Sequence, residues 1–257
     1  MHFTFEQQLD GGVLERTFIL GDVPGILWAP APGSAPAPLV LLGHPGGLRG
    51  MYPRLVDWAR RCAADGFAAA AVELPWSGGR PRSGEAEQAR ADLRRVLAAG
   101  GRPSDDIIDR LVLPVVEEAV PEGQAALDAL LALPGIGGPV GYSGGIVAVG
   151  VRLAVVEPRI AAAVLFAGSF VPRFVFDEAR RVTIPLHMLL QWDDEGNDRQ
   201  SALELFDAFG SREKALNANM GGHTGVPVPR PAPEVNPGRR GGVRSGVDGT
   251  ETTAHST

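Results

Sequence analysis

Short apolar runs recur at residues 39–42, 67–72, 140–142, 160–166 and 184–190, and stretches with helical spacing separate most of them. A run that is apolar throughout suits a strand buried on both faces, which parallel strands joined by crossover helices provide. The alternation predicts an α/β fold: a mostly parallel central sheet with helices on both faces. Upstream, residues 3–9, 14–20 and 25–29 are shorter and separated by Gly and Pro, and they read as antiparallel strands at one margin of the sheet. Residues 215–218 are the last strand candidate. Helices are expected over 52–64, 86–98 and 146–156, the second inside a surface excursion over 75–103. A longer helix should start at the cap Ser104 and run to about residue 133, broken at Pro114 and Pro121.

A chain of 257 residues accommodates one large domain, placed here at 1–227. With 44% hydrophobic and 21% charged residues the composition is that of a globular protein, and no apolar run is long enough to span a bilayer. The N-terminus lacks the basic and apolar stretches of a secretory signal, so a cytoplasmic location is expected. Cys62 is the single cysteine, which leaves no internal disulfide and no multi-cysteine zinc site. A net charge of -6 disfavours nucleic acid and anionic membrane as partners and favours a neutral small molecule.

Gly141-Tyr142-Ser143-Gly144-Gly145 fits G-x-S-x-G, and an apolar strand enters it while an apolar helix leaves it. Such a turn is expected to force Ser143 into strained backbone geometry, with Gly141 and Gly145 allowing strand and helix to approach. Ser143 is then a candidate nucleophile at a helix N-terminus. In this context the chain resembles the α/β-hydrolase superfamily, and its small insertions are similar to those of dienelactone-hydrolase-like serine esterases. Dienelactone hydrolases proper carry cysteine where this chain has Ser143.

The resemblance implies the remaining parts. Gly43-His44-Pro45-Gly46-Gly47 stands where the superfamily places its oxyanion loop; Pro45 has no N–H, so the donors are expected to be Gly46 and Gly144. His44 is read as holding this turn. The superfamily order of serine, acid, histidine directs attention to Asp193-Asp194-Glu195 after the run 184–192, with Asp194 favoured as the acid, Asp193 second and Glu195 third. His223, in a glycine-rich loop after the last strand candidate, is the expected base. His187 lies within a strand and reads as a core or sheet-face residue.

Other chemistries fit less well. The only lysine, Lys214, does not follow a glycine loop as a P-loop requires, and Gly135-Ile136-Gly137 lacks the third glycine of a dinucleotide fingerprint. The five histidines show no i, i+4 pair, and no cofactor or metal is implied. The expected activity is hydrolysis of a small carboxylic ester or lactone through an acyl-enzyme on Ser143. Acyl transfer or peptide cleavage would use the same residues, and a ligand-binding member of the fold without turnover is the alternative of a different class.

Residues 228–257 are rich in Pro, Gly and Arg and too poor in apolar residues for the final core-facing helix that the superfamily carries. A disordered tail is expected there, as if a frame change had replaced that helix. The face it would cover must then be exposed, masked by the tail, or buried in a homodimer. Deleting 228–257 should leave the melting temperature nearly unchanged; a drop of many degrees in a thermal melt would mean that the tail is packed.

Overall fold

The computed structural model describes residues 1–222 apart from Ser34, Ser169 and Glu195. The tail 228–257 and His223 therefore lie outside the described residues. Met1–Val226 forms one unit. Its strands are β1 (His2–Gln8), β2 (Leu14–Leu20), β3 (Val23–Ala29), β4 (Ala37–Gly43), β5 (Ala68–Val72), β6 (Ile136–Gly144), β7 (Ile160–Phe166), β8 (Leu186–Gln191) and β9 (Lys214–Asn219). The helices are α1 (Leu48–Ala64), α2 (Gly84–Ala98), α3 (Asp105–Leu131), α4 (Val147–Val156), α5 (Arg173–Ala179) and α6 (Arg199–Ala208).

The described strands form one sheet in the order β1-β2-β3-β5-β4-β6-β7-β8-β9. β1, β2 and β3 are antiparallel, β3 meets β5 antiparallel, and β5 through β9 run parallel. The chain steps outward from β4 to β5 and then returns across β4 to β6. The order of connection thus reverses at the β4/β6 pair, which opens a crevice at the carboxyl ends of these two strands.

Alternation along the strands sorts the core into two layers. Leu39, Leu41, Val140, Tyr142, Ala163, Leu165, Met188 and Leu190 face α3 and α4 or their neighbours, while Leu42, Trp28, Ala69 and Ala71 pack under α1 through Leu55 and Ala59. On the α1 face, Glu15 is buried and accepts hydrogen bonds from Gln7 Nε2 (2.7 Å), Trp28 Nε1 (2.6 Å) and Tyr52 Oη (2.7 Å). Three donors satisfy a carboxylate that would otherwise be costly to bury. Burial and this bond to Glu15 push the Tyr52 phenol up to about 12.

Two expectations are corrected. α3 is one helix through Pro114 and Pro121. Each proline frees a carbonyl four residues upstream, on Arg110 and Glu117; both residues are exposed, so water can take the place of the lost donor. The opposite face carries Ile108, Val116, Ala119, Gly123, Ala126 and Leu130 into the core at helical spacing, which offsets the cost. The strand expected at 140–142 is the nine-residue β6, extended by pairing with β4 on one side and β7 on the other.

Among the described residues, no helix is long and apolar enough to cross a membrane. The α1 face of β6 to β8 borders an open groove of about 640 Å³ lined by Trp58, Cys62, Ser143, Val164 and His187. His187 faces it from β8, in register with Val164 and Ala215, as a sheet-face residue.

Candidate active site

Gly43 and Gly144 are partners in the β4/β6 register, so the loop after β4 and the turn after β6 stand side by side at the crevice. Ser143 belongs to the last turnward residues of β6, paired between Leu42 and Val164, and is 5% exposed. The expected strain at Ser143 is not found: the positive φ values lie at Gly144 (+93°) and Gly145 (+74°). The serine remains in extended backbone on the α1 face, and the two glycines make the reversal into α4. A Cβ at Gly144 would stand 2.9 Å from Gly43 O, and one at Gly145 would stand 2.8 Å from Gly43 Cα. Glycine is required at both positions by conformation and by space. Gly141 is not, because its nearest contact would be Val40 Cγ2 at an ordinary 3.8 Å.

On the other side of the crevice, Gly46 and Gly47 connect β4 to α1. His44 is buried, with Nε2 2.8 Å from Val72 O and Nδ1 against Gly46 O. Burial pushes the imidazole below its ordinary pKa, against the opposing pull of the two carbonyls and the Glu73 charge. The ring ties the loop to the end of β5, which is the structural role expected of it.

A further residue holds the same loop and was missed by the sequence reading. Helix α1 has Gly47 at its N-cap and no side-chain cap of its own. Glu73, just beyond β5 and 6% exposed, supplies one from a distance: Leu48 N donates to its two oxygens at 3.0 and 3.2 Å, and Ser77 Oγ donates to Oε1 at 2.5 Å. A carboxylate at a helix N-terminus satisfies an orphan N–H and is favoured by the helix dipole. The available signal was an acid immediately after an apolar strand. Glu73→Ala is expected to destabilise the protein by about 2 to 3 kcal/mol, the cost typical of a charged buried hydrogen bond, as read by chemical denaturation.

Beyond β8, Asp194 is buried and Asp193 exposed, while Glu195 lies outside the described residues. Asp194 Oδ1 accepts from Gly196 N at 2.9 Å and its carbonyl from Asn197 N at 3.1 Å, so the turn fixes the carboxylate. β7 intervenes between β6 and β8, and the register sets Ser143 level with Val164 and His187, so the β8 terminus at Gln191 lies two strands across and four residues further along the sheet. β9 is the neighbour of β8 at the margin of the sheet. Among the described residues no group of three or more His, Cys, Asp or Glu is arranged to hold a metal ion.

No protein-family model matches the chain, and no curated protein sequence does. Solved structures do. A cold-adapted esterase from an Arctic intertidal metagenomic library, in a complex with PEG, is 29% identical, covering 88% of this chain and 93% of that one, with a TM-score of 0.69. An acetyl xylan esterase from Paenibacillus sp. R4 is 13% identical over 88% of this chain and 83% of its own, with a TM-score of 0.57. A Klebsiella pneumoniae protein assigned as a dienelactone hydrolase is 17% identical over 79% and 82%, with a TM-score of 0.58. At those lower identities the likeness is one of fold. Sheet order, the β4/β6 crevice and these neighbours together give the chain the α/β-hydrolase fold.

Proposed function

We propose that the chain is a serine hydrolase that cleaves a small carboxylic ester or lactone through an acyl-enzyme on Ser143, in the manner of dienelactone-hydrolase-like esterases. The observation that carries this is the crevice at the β4/β6 switch point, where a glycine loop and a strand-ending serine meet, as ligand sites of open α/β sheets do. Similarity to an esterase at 29% identity over most of both chains supports the reaction class.

In this reading His223 accepts the Ser143 Oγ proton as Oγ attacks the ester carbonyl. The N–H groups of Gly46 and Gly144 receive the negative charge on the carbonyl oxygen. The tetrahedral species collapses, the C–O bond to the alcohol breaks, and the imidazolium returns the proton to the departing oxygen. Water then attacks the acyl-enzyme, losing its proton to His223, and the acid leaves as Ser143 regains a proton. Asp194 orients the imidazole and stabilises its charged form.

The extended, buried setting of Ser143 favours a second reading, a ligand-binding member of the fold without turnover. Rapid mixing with p-nitrophenyl acetate separates the two. A burst of nitrophenol equal to the enzyme concentration supports the acyl-enzyme; no release above the buffer rate supports the second reading.

A further inference from the structure

His44 opens the loop between β4 and α1 and is 2% exposed. Both of its ring nitrogens stand against backbone carbonyls: Nε2 lies 2.8 Å from Val72 O at the end of β5, and Nδ1 meets Gly46 O in its own loop. A carbonyl oxygen only accepts hydrogen bonds, and a neutral imidazole carries a single N–H. The neutral ring therefore satisfies one of these carbonyls and turns a bare lone pair on the other. Only the imidazolium, with two N–H groups, donates to both. The contact geometry of His44 is thus that of the protonated ring, held in a buried place.

Titratable groups face the ring from three elements. Glu73 beyond β5, Glu122 on α3 and Tyr142 on β6 line the same cavity of about 30 Å³ as His44, to which α4 adds the apolar Val149 and Leu153. The Glu73 charge favours the imidazolium, and Leu48 N and Ser77 Oγ fix that carboxylate beside the loop. Glu122 is taken up by Arg80, which engages both of its oxygens, and burial raises the Tyr142 phenol so that it stays neutral. Burial is the larger influence on His44 and holds the imidazole below its ordinary value of about 6.5.

We propose that His44 is a proton-operated latch: the imidazolium ties the Gly46 loop to the end of β5 through both nitrogens, and loss of the proton frees one of the two carbonyls. The loop then has two states whose balance follows pH. With the ring held below about 6.5, the latch closes on the acid side of that value. The unfolded chain takes up this proton at a higher pH than the folded one, so folding loses stability as pH falls from about 6.5 through the folded midpoint. The loop tightens locally while the global stability declines. His44 touches no reacting atom and acts through Gly46 as a positioning residue, so the inference holds whether or not Ser143 is acylated.

Nitrogen NMR on the isotope-labelled full chain reads the latch directly, with His44→Gln identifying the His44 ring signals by their loss. Between about pH 7.5 and about pH 5, His44 is expected to pass from one protonated nitrogen to two, with a midpoint below about 6.5. Over the same range the backbone order parameter of Gly46 should rise toward the value of about 0.85 typical of rigid backbone. In His44→Gln, whose amide does not titrate, it should stay constant. Should that variant not fold, the wild-type measurements decide by themselves, with the ring assigned through its backbone correlations. A midpoint at or above about 6.5, a ring that stays neutral until acid unfolding, or a protonation that leaves Gly46 unchanged would each overturn the proposal. The same rise at Gly46 in His44→Gln would overturn it too.

Discussion

Ser143→Ala is expected to lower kcat for p-nitrophenyl acetate by about 10⁵-fold or more while leaving the melting temperature nearly unchanged. Removal of a triad serine typically costs that much, because the oxyanion donors and binding alone supply only the residual acceleration. The fold should be indifferent to the change. Ser143 sits in extended backbone with φ outside the left-handed region, and alanine keeps its Cβ while removing one oxygen that makes no structural hydrogen bond among the described residues. Steady-state kinetics and a circular-dichroism melt check both halves. A variant with more than about one per cent of wild-type turnover would remove Ser143 from the mechanism.

Asp194→Asn is expected to lower kcat by about 10⁴-fold, the loss seen when a triad aspartate becomes an amide and the histidine tautomer is no longer held. Asp193→Asn should change it little. The two carboxylates are adjacent in sequence and opposite in environment: Asp194 is buried and fixed by Gly196 N, whereas Asp193 is exposed and screened by water. Parallel kinetics on the two variants decide the matter, and the reverse ranking would move the acid to Asp193.

How far the sequence led depended on whether a feature is local. The strand at 14–20, the cap at Ser104 and helix α4 announce themselves through residues within one turn or one strand. The position of β4 between β5 and β6 does not, because strand order is fixed by which apolar faces pack together across the whole domain. Helix α6 had a legible start, with Asp198 accepting from Gln200 N and Ser201 N, and was overlooked because its buried residues are only Ala202 and Leu205. The prolines of α3 were read by a local rule that tertiary packing overrides.

The site shows the same division. The motif around Ser143 and the acids at 193–194 could be found by letter and spacing. The conformation of the turn could not: with glycines at both 144 and 145, the reversal passes to residues that adopt positive φ without strain, and the serine is relieved of it. Glu73 was hidden for a different reason. Its role as the cap of α1 arises from a contact 25 residues away in sequence, made only when β5 lies beside β4.

The central claim is that Ser143 is an activated nucleophile, and labelling with a fluorophosphonate tests it most directly, because a serine without a general base does not react. Trypsin releases residues 111–152 as one peptide in which Ser143 is the only serine. The account predicts that mass spectrometry finds the phosphonyl group on that peptide at close to one per chain, and that Ser143→Ala abolishes it. Intact protein that stays unlabelled, or a label found on another peptide, would contradict it.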